Sequence, residues 1–250
     1  MSVWEALLLA LVEGLTEFLP ISSTGHLVLL STWLGKEKEA FFQSYEIIIQ
    51  GGAILAVFFY RWRRWREVRL YPLLLAAFLP TAGLGLLLRG MVEPLLSQPA
   101  VVGLNLVLGG FLLIGMDRWF RQNKGVLEGL SLRQAFVIGI VQAISLFPGV
   151  SRAAAALLGA QLVGLNKSAA AEFSFLLAVP TLGAASAYKF WQMPTALLEA
   201  HWGLLLLGSG VAFGVALLAM RFLMGIWERW GLAPFGLYRI GLGSAVLLWR

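Results

Sequence analysis

The sequence predicts an all-α integral membrane protein of six transmembrane helices plus two re-entrant helical hairpins, ten helices in all. They form one domain, residues 1–250, made of two inverted repeats at about 1–120 and 130–250. Three observations predict it. The chain is 59% hydrophobic and 13% charged, with mean hydropathy +0.81, whereas soluble domains carry about 25% charged residues. Six apolar runs are long enough to cross a bilayer, which takes about 20 residues each. Two further apolar regions are broken in their middles by proline, glycine and hydroxyl residues, and they precede the spans in the same order in both halves.

The first broken region is Trp4–Leu34, interrupted by Pro20-Ile21-Ser22-Ser23-Thr24-Gly25-His26. It lacks a basic leader, and Glu13 and Glu17 break its apolar run, so it reads as part of the mature protein and not as a signal peptide. Spans follow at about 41–60, 70–88 and 100–116. The second broken region is Phe136–Leu165, interrupted by Pro148-Gly149-Val150-Ser151-Arg152, and spans follow at about 169–188, 203–220 and 231–249. Non-helical backbone at membrane depth survives only where protein or a wet cavity satisfies it. Each broken region therefore reads as a hairpin that enters and leaves on one face.

An offset of 128 residues places Pro20 on Pro148 and Ser23 on Ser151; one further residue places Phe18 on Phe147, Glu13 on Gln142 and Gly35 on Gly164. Orientation follows from the loop arginines. With Arg61, Arg63, Arg64, Arg66 and Arg69 inside, twelve of the nineteen lysines and arginines fall inside. Lys36, Lys38, Arg89, Lys189 and Arg250 fall outside. The two halves then begin on opposite sides, the inverted arrangement of proteins whose sites lie between broken helices. All ten tryptophans fall near span ends or short connections, as an interfacial belt requires.

Composition excludes several functions. There is no cysteine and only two histidines, His26 and His201, which removes thiolate catalysis, disulfides, zinc–thiolate and multi-histidine metal sites. The net charge of +6 reads as loop arginines, not as a nucleic-acid face.

Three groups carry chemistry. Glu13 and Glu17 share a helix face, and ionisable residues at membrane depth mark function; paired acids bind a hard cation such as Mg²⁺ or Ca²⁺ or exchange protons. Ser22, Ser23, Thr24 and His26 offer a nucleophile beside a base, and Gly25 permits a turn whose N–H groups suit phosphate oxygens. Arg152, at the tip of the second hairpin beside Ser151, needs an anionic partner: a phosphate, or Glu13 or Glu17. If the two tips meet, the chemistry is that of a phosphate ester or diphosphate. Glu172, Glu46 and Gln50 read as further polar groups in the spans, and His201 and Arg239 as interfacial residues.

The stretch Glu13-Gly14-Leu15-Thr16-Glu17-Phe18-Leu19-Pro20-Ile21-Ser22-Ser23-Thr24-Gly25-His26 resembles the first signature of the undecaprenyl-diphosphate phosphatase family, also called the bacitracin-resistance protein family. Pro148–Arg152 resembles its second signature, and Glu172–Pro180 is a third similar stretch. The resemblance implies a multi-pass enzyme of the bacterial inner membrane, with its active site facing the periplasm. It would remove the terminal phosphate from a C55 prenyl diphosphate lipid and so recycle the carrier for peptidoglycan synthesis. It implies a divalent cation held by Glu13 and Glu17, and membrane lipids as surroundings; a homodimer is left open. Glu13, Glu17, Ser23, His26 and Arg152 match the family's functional positions, and Ser22, Thr24 and Ser151 match adjoining ones. The chain departs from the pattern Ser-Arg-Ser-x-x-Thr: it reads Ser151-Arg152-Ala153-Ala154-Ala155-Ala156.

The expected mechanism has Arg152 and loop N–H groups clamping the diphosphate, and Ser23 attacking the terminal phosphorus. His26 or Glu17 takes the proton; sequence leaves Ser23 and His26 both open as nucleophile. The rival reading is a transporter or flippase of the carrier lipid, against which the Ser-His pair speaks, since transport needs no nucleophile.

Overall fold

The protein is described by a computed structural model covering residues 1–36, 39–95 and 98–248; Lys38, Trp249 and Arg250, used above for orientation and the aromatic belt, lie outside these residues. Among them all the regular structure is helical, apart from one isolated bridge between Gly125 and Leu165. The helices are α1 (Val3–Thr16), α2 (Ser23–Trp33), α3 (Ala40–Ile48), α4 (Gln50–Tyr60), α5 (Leu70–Val92) and α6 (Pro99–Trp119), followed by α7 (Leu132–Gln142), α8 (Arg152–Leu162), α9 (Lys167–Gln192), α10 (Thr195–Trp230) and α11 (Ala233–Leu248). Helices α3 and α4 meet at Ile49 as one 21-residue apolar stretch, so the elements number ten when the pair is taken together.

Five of the six expected spans are long and apolar enough to cross a bilayer: Ala40–Tyr60, Leu70–Val92, Pro99–Trp119, Lys167–Gln192 and Thr195–Trp230. With five such helices the chain is a multi-pass membrane protein. Two expectations shift. The run at 203–220 is the middle of a 36-residue helix, about 54 Å long at 1.5 Å per residue, because no proline or capping residue stops it before Gly231. The run at 231–249 is a helix of 16 residues, about 24 Å, short of a 30 Å hydrocarbon core.

Both broken regions form helix–break–helix hairpins. Helix α1 starts on a capping box between Ser2 and Glu5, and α7 on one between Ser131 and Gln134; each satisfies orphan N–H groups at the helix start. Helices α2 and α8 are each 11 residues long and start after a serine with positive φ, Ser22 (72°) and Ser151 (77°). In each the serine Oγ accepts the N–H three residues on, Gly25 for Ser22 and Ala154 for Ser151. Both helices are followed by a glycine with positive φ, Gly35 and Gly164. Every one of these pairs is separated by 129 residues. The register is therefore 129 through the hairpins, correcting the 128 offset: Ser22 corresponds to Ser151, and Ser23 to Arg152.

Packing links helices of the two halves. Helix α1 lies on α10 and α7 on α5, α4 on α10 and α9 on α5, while α6 and α11 lie on each other. The close crossings use small residues: Gly14 faces the Ala212 backbone, Gly139 the Ala77 backbone, and Gly52 the Ser209 carbonyl. Helices α6 and α11 cross at two glycine pairs, Gly110 with Gly236 and Gly103 with Gly243. The core is alanine-rich around α8 and α9 and joins Phe18, Phe173 and Phe175.

The outward residues of the long helices are apolar, among them Leu75, Leu79, Leu86, Phe111, Leu218 and Phe222, as lipid contact requires. Trp4, Trp33, Trp62, Trp119, Trp191, Trp202 and Trp230 are exposed, consistent with a belt. Trp227 is an exception: it is buried in the core, because α10 runs on past the expected span end and turns that face inward.

The loop after α4 is tied down by charge. Arg64 donates to both Glu172 oxygens at 3.0 and 2.9 Å and to Glu67 and Glu128 at 2.7 and 3.1 Å. Glu172 is thus a docking point for the arginine loop on α9. Hydrogen bonds from Arg64 and Arg69 hold the Glu67 carboxyl below its ordinary range. A backbone N–H, then Arg64, does the same for Glu128.

Candidate active site

The two hairpin breaks meet. Glu17 caps the end of α1, and its carboxylate joins the two halves. Its Oε2 accepts a hydrogen bond from Ser23 Oγ at the first residue of α2. Its Oε1 accepts from Arg152 Nη2 at 2.9 Å and Nε at 3.3 Å, at the first residue of α8. Arg152 Nη1 donates to the Ser174 carbonyl at 2.9 Å, and its guanidinium lies over the Phe18 ring. Glu17, Ser23 and Arg152 are all nearly buried. A carboxylate, a hydroxyl and a guanidinium are thereby placed between the starts of two helices, whose N-termini favour negative charge.

Glu13, one turn earlier on α1, is fully buried, and neither of its carboxylate oxygens has a hydrogen-bond partner among the described residues. An unpaired buried carboxylate is costly, and an oxygen donor pair of this kind fits a hard divalent cation. Glu17 lies beside it but has both oxygens engaged. Among the described residues no three acidic or histidine side chains converge as a ready-made metal site. At the position corresponding to Glu13, Gln142 donates to Thr81 at 3.0 Å.

His26 stands apart from the Ser23–Glu17 pair. Its Nδ1 faces the Ser22 carbonyl at 2.7 Å and its Nε2 the Tyr238 hydroxyl at 2.7 Å. A carbonyl can only accept, so Nδ1 carries a proton and, in the neutral ring, Nε2 accepts from tyrosine. The Tyr238 ring is parallel to the imidazole, 5.7 Å away.

Of the expected site residues, Glu17, Ser23 and Arg152 form one cluster, and Glu13 and His26 flank it. Thr24 is exposed beside it. Ser22 and Ser151 cap helices, and the Gly25 N–H is engaged by Ser22. Ala153 and Ala156, where the family pattern has hydroxyls, are buried, and Ala156 belongs to the apolar core.

One reading of a polar residue is corrected. Arg239 is not interfacial: it is fully buried and binds carbonyls of both hairpin tips. His201 is half-buried and stacks on Phe41 with centroids 3.9 Å apart. Ser174, Tyr238 and Arg239 were not singled out for the site by sequence. Arg239 carried a signal, a charge inside an apolar run; Tyr238 carried none.

The family model described as bacitracin resistance protein BacA matches residues 6–245. A relative from Bdellovibrio bacteriovorus, named undecaprenyl-diphosphatase, is 42% identical over 99% of this chain and 96% of its own length. Another of that name, from Sorangium cellulosum, is 45% identical over 98% of this chain and 85% of its own. A third, from Aquifex aeolicus, is 40% identical over 97% and 96%. With a family match over nearly its whole length and such relatives aligned end to end, the chain belongs to the bacitracin resistance protein BacA family.

Proposed function

We propose that the chain is a membrane phosphatase that hydrolyses undecaprenyl diphosphate to undecaprenyl phosphate and phosphate, recycling the lipid carrier for peptidoglycan synthesis. One observation carries this reading beyond the family: the Glu17 carboxylate holds Ser23 on one oxygen and Arg152 on the other. This arrangement supports Glu17 as base, Ser23 as nucleophile and Arg152 as anion clamp.

Arg152 turns its fork from Glu17 to the diphosphate oxygens, which match its planar geometry. Released from Arg152, Glu17 takes the Ser23 proton, so Glu17 and not His26 is the base. The Ser23 Oγ–P bond forms and the bond from the terminal phosphorus to the bridging oxygen breaks. Glu17 returns the proton to the departing monophosphate. Water then attacks the phosphoserine and gives a proton to Glu17; as the P–Oγ bond breaks, Glu17 reprotonates Ser23. Glu13, with Glu17 beside it, would hold a divalent cation, which when bound supplies neutralising charge for the diphosphate oxygens. Ser22, Gly25, Thr24 and Ser151 shape the rim on which those oxygens rest, and His26 orients α2 through its bond to Tyr238.

The prenyl tail lies along the lipid-facing grooves. The site faces the periplasm of the inner membrane, with Arg61–Arg69 on the cytoplasmic side; the arginine-rich loop supports this through the charge rule, and reporter fusions at residues 61–69 check it. The 129-residue register and the exchange of helix contacts support two inverted repeats, about 1–120 and 130–250.

The test is phosphate release by purified protein from a prenyl diphosphate in detergent. Ser23→Ala should lower kcat far more than it changes KM, and radiolabelled terminal phosphate should appear transiently on Ser23. Near-normal turnover of Ser23→Ala removes the serine as nucleophile.

A further inference from the structure

We propose that Arg239 is a positioning residue for the phosphatase reaction: a single guanidinium that clamps the two hairpin tips together and so sets Ser23 against Arg152. The inference rests on the reading of the site given above.

Arg239 lies on α11 and is fully buried. Its donors bind five backbone carbonyls. Nη1 reaches Pro20 and Val150, each at 3.0 Å; Nη2 reaches Gly149 at 2.8 Å and Asn105 at 3.0 Å; Nε reaches Leu106 at 3.3 Å. Pro20 lies three residues before Ser23, and Gly149 three before Arg152. Pro20 and Gly149 also correspond under the 129-residue register. One side chain therefore holds equivalent carbonyls of both breaks and anchors them to α6.

The surroundings are built for it. No carboxylate neutralises Arg239 in any hydrogen bond or ion pair of the described residues. A buried cation without a counter-ion is expensive unless every donor is satisfied, as these are. Three residues before Arg239 on α11, Gly236 packs against Gly110 of α6, so the two helices cross closely beside the guanidinium. At Gly109 an added Cβ would overlap the guanidinium, so this glycine keeps the pocket open. Gly149, with φ 89° and Val102 backbone against it, bends the chain so that its carbonyl faces Arg239. The donors are all occupied, so Arg239 does not touch the diphosphate; it acts through the distance between the two tips. A misplacement of about 1 Å costs on the order of 100-fold in rate.

The test uses the cysteine-free chain labelled at Thr24→Cys and Phe147→Cys, both exposed, to read the inter-tip distance by spin-label spectroscopy, with kcat and KM measured on the unlabelled variants. Lysine brings the charge but only three donors on a single nitrogen, without the planar fork that reaches five carbonyls. Arg239→Lys should broaden the inter-tip distance distribution and lower kcat about 100-fold, with KM within about 3-fold. Gly109→Ala, which leaves the arginine present but crowds it, should do the same. Guanidinium added to Arg239→Ala should narrow the distribution and restore part of kcat, and methylammonium should not.

A parental distance distribution in Arg239→Lys and Gly109→Ala overturns the clamp, as does a broadened one with parental kcat. A proportionate rise in KM at constant kcat shows substrate contact instead, and also overturns it. If both variants fail to accumulate and guanidinium rescues nothing, Arg239 is a folding element and the proposal falls. If the parent releases no phosphate, the phosphatase reading fails while the distance measurement still decides the clamp.

Discussion

Replacing Glu17 by glutamine removes a charge while keeping shape and volume, and the structure says what that costs. Glu17 Oε1 accepts two N–H bonds from Arg152, and Oε2 accepts the Ser23 hydroxyl. An amide offers one acceptor oxygen and an NH₂ that can only donate. If the oxygen stays on Arg152, the NH₂ faces Ser23 and no base remains; if it turns to Ser23, the NH₂ opposes the guanidinium. Hydrogen bonds to charged groups are worth about 1.5–3 kcal/mol, and breaking a buried ion pair costs about 3–5 kcal/mol. Arg152 keeps its bond to the Ser174 carbonyl, so Glu17→Gln should destabilise by about 2–3 kcal/mol. Loss of general base catalysis alone lowers kcat by about 10²–10⁴.

Glu17→Asp keeps the charge but is one methylene shorter and cannot span both partners, so it should fall between the two in rate. The assay is phosphate release under saturating prenyl diphosphate, with thermal unfolding in detergent as the stability measure. Turnover by Glu17→Gln within about tenfold of the parent would refute Glu17 as base and return that role to His26.

Tyr238→Phe deletes the donor to His26 Nε2 but leaves the Ser22 carbonyl holding Nδ1; a loss of about 1 kcal/mol should appear as a kcat decrease of about 5-fold, read by the same phosphate assay. Ala156→Thr, which restores the family hydroxyl, adds bulk at a fully buried core position; it should destabilise by about 1–3 kcal/mol in thermal unfolding without raising kcat/KM. The arginine-loop clasp has a defined pH window. Glu67 and Glu128 are held below their ordinary carboxyl values, so their contribution is fully present above about pH 4.3 and is lost only as pH falls through the lowered values. The melting temperature of detergent-solubilised protein with and without Glu67→Gln should differ by a constant, small amount from pH 8 to pH 5 and converge below about pH 4.

The sequence determined the solvent of this protein. Its apolar runs cannot be buried in water, and the spans at 41–60, 70–88, 100–116 and 169–188 correspond to long helices. The breaks were legible because proline, glycine and hydroxyl residues at membrane depth need a local reason to be there. Glu13, Glu17, Ser23 and Arg152 stood out for the same reason: charge and hydroxyls are rare among so many apolar neighbours. Tertiary structure decided what those groups touch. The Arg152–Glu17 pair joins residues of separate hairpins, and no spacing along a chain fixes the distance between two loop tips. It also chose the partner of His26: an imidazole three residues from a serine looks like its base, yet Ser23 bonds Glu17 while His26 meets Tyr238 across 212 residues. The offset between the halves slipped by one residue at the tips because Pro20 and Pro148 align by identity, whereas the positive φ of Ser22 and Ser151 aligns by backbone shape. Arg239 shows the difference most plainly. Its charge was visible in the sequence, but a buried arginine with five carbonyl partners and no carboxylate arises only where two chain breaks and a helix crossing converge on one point.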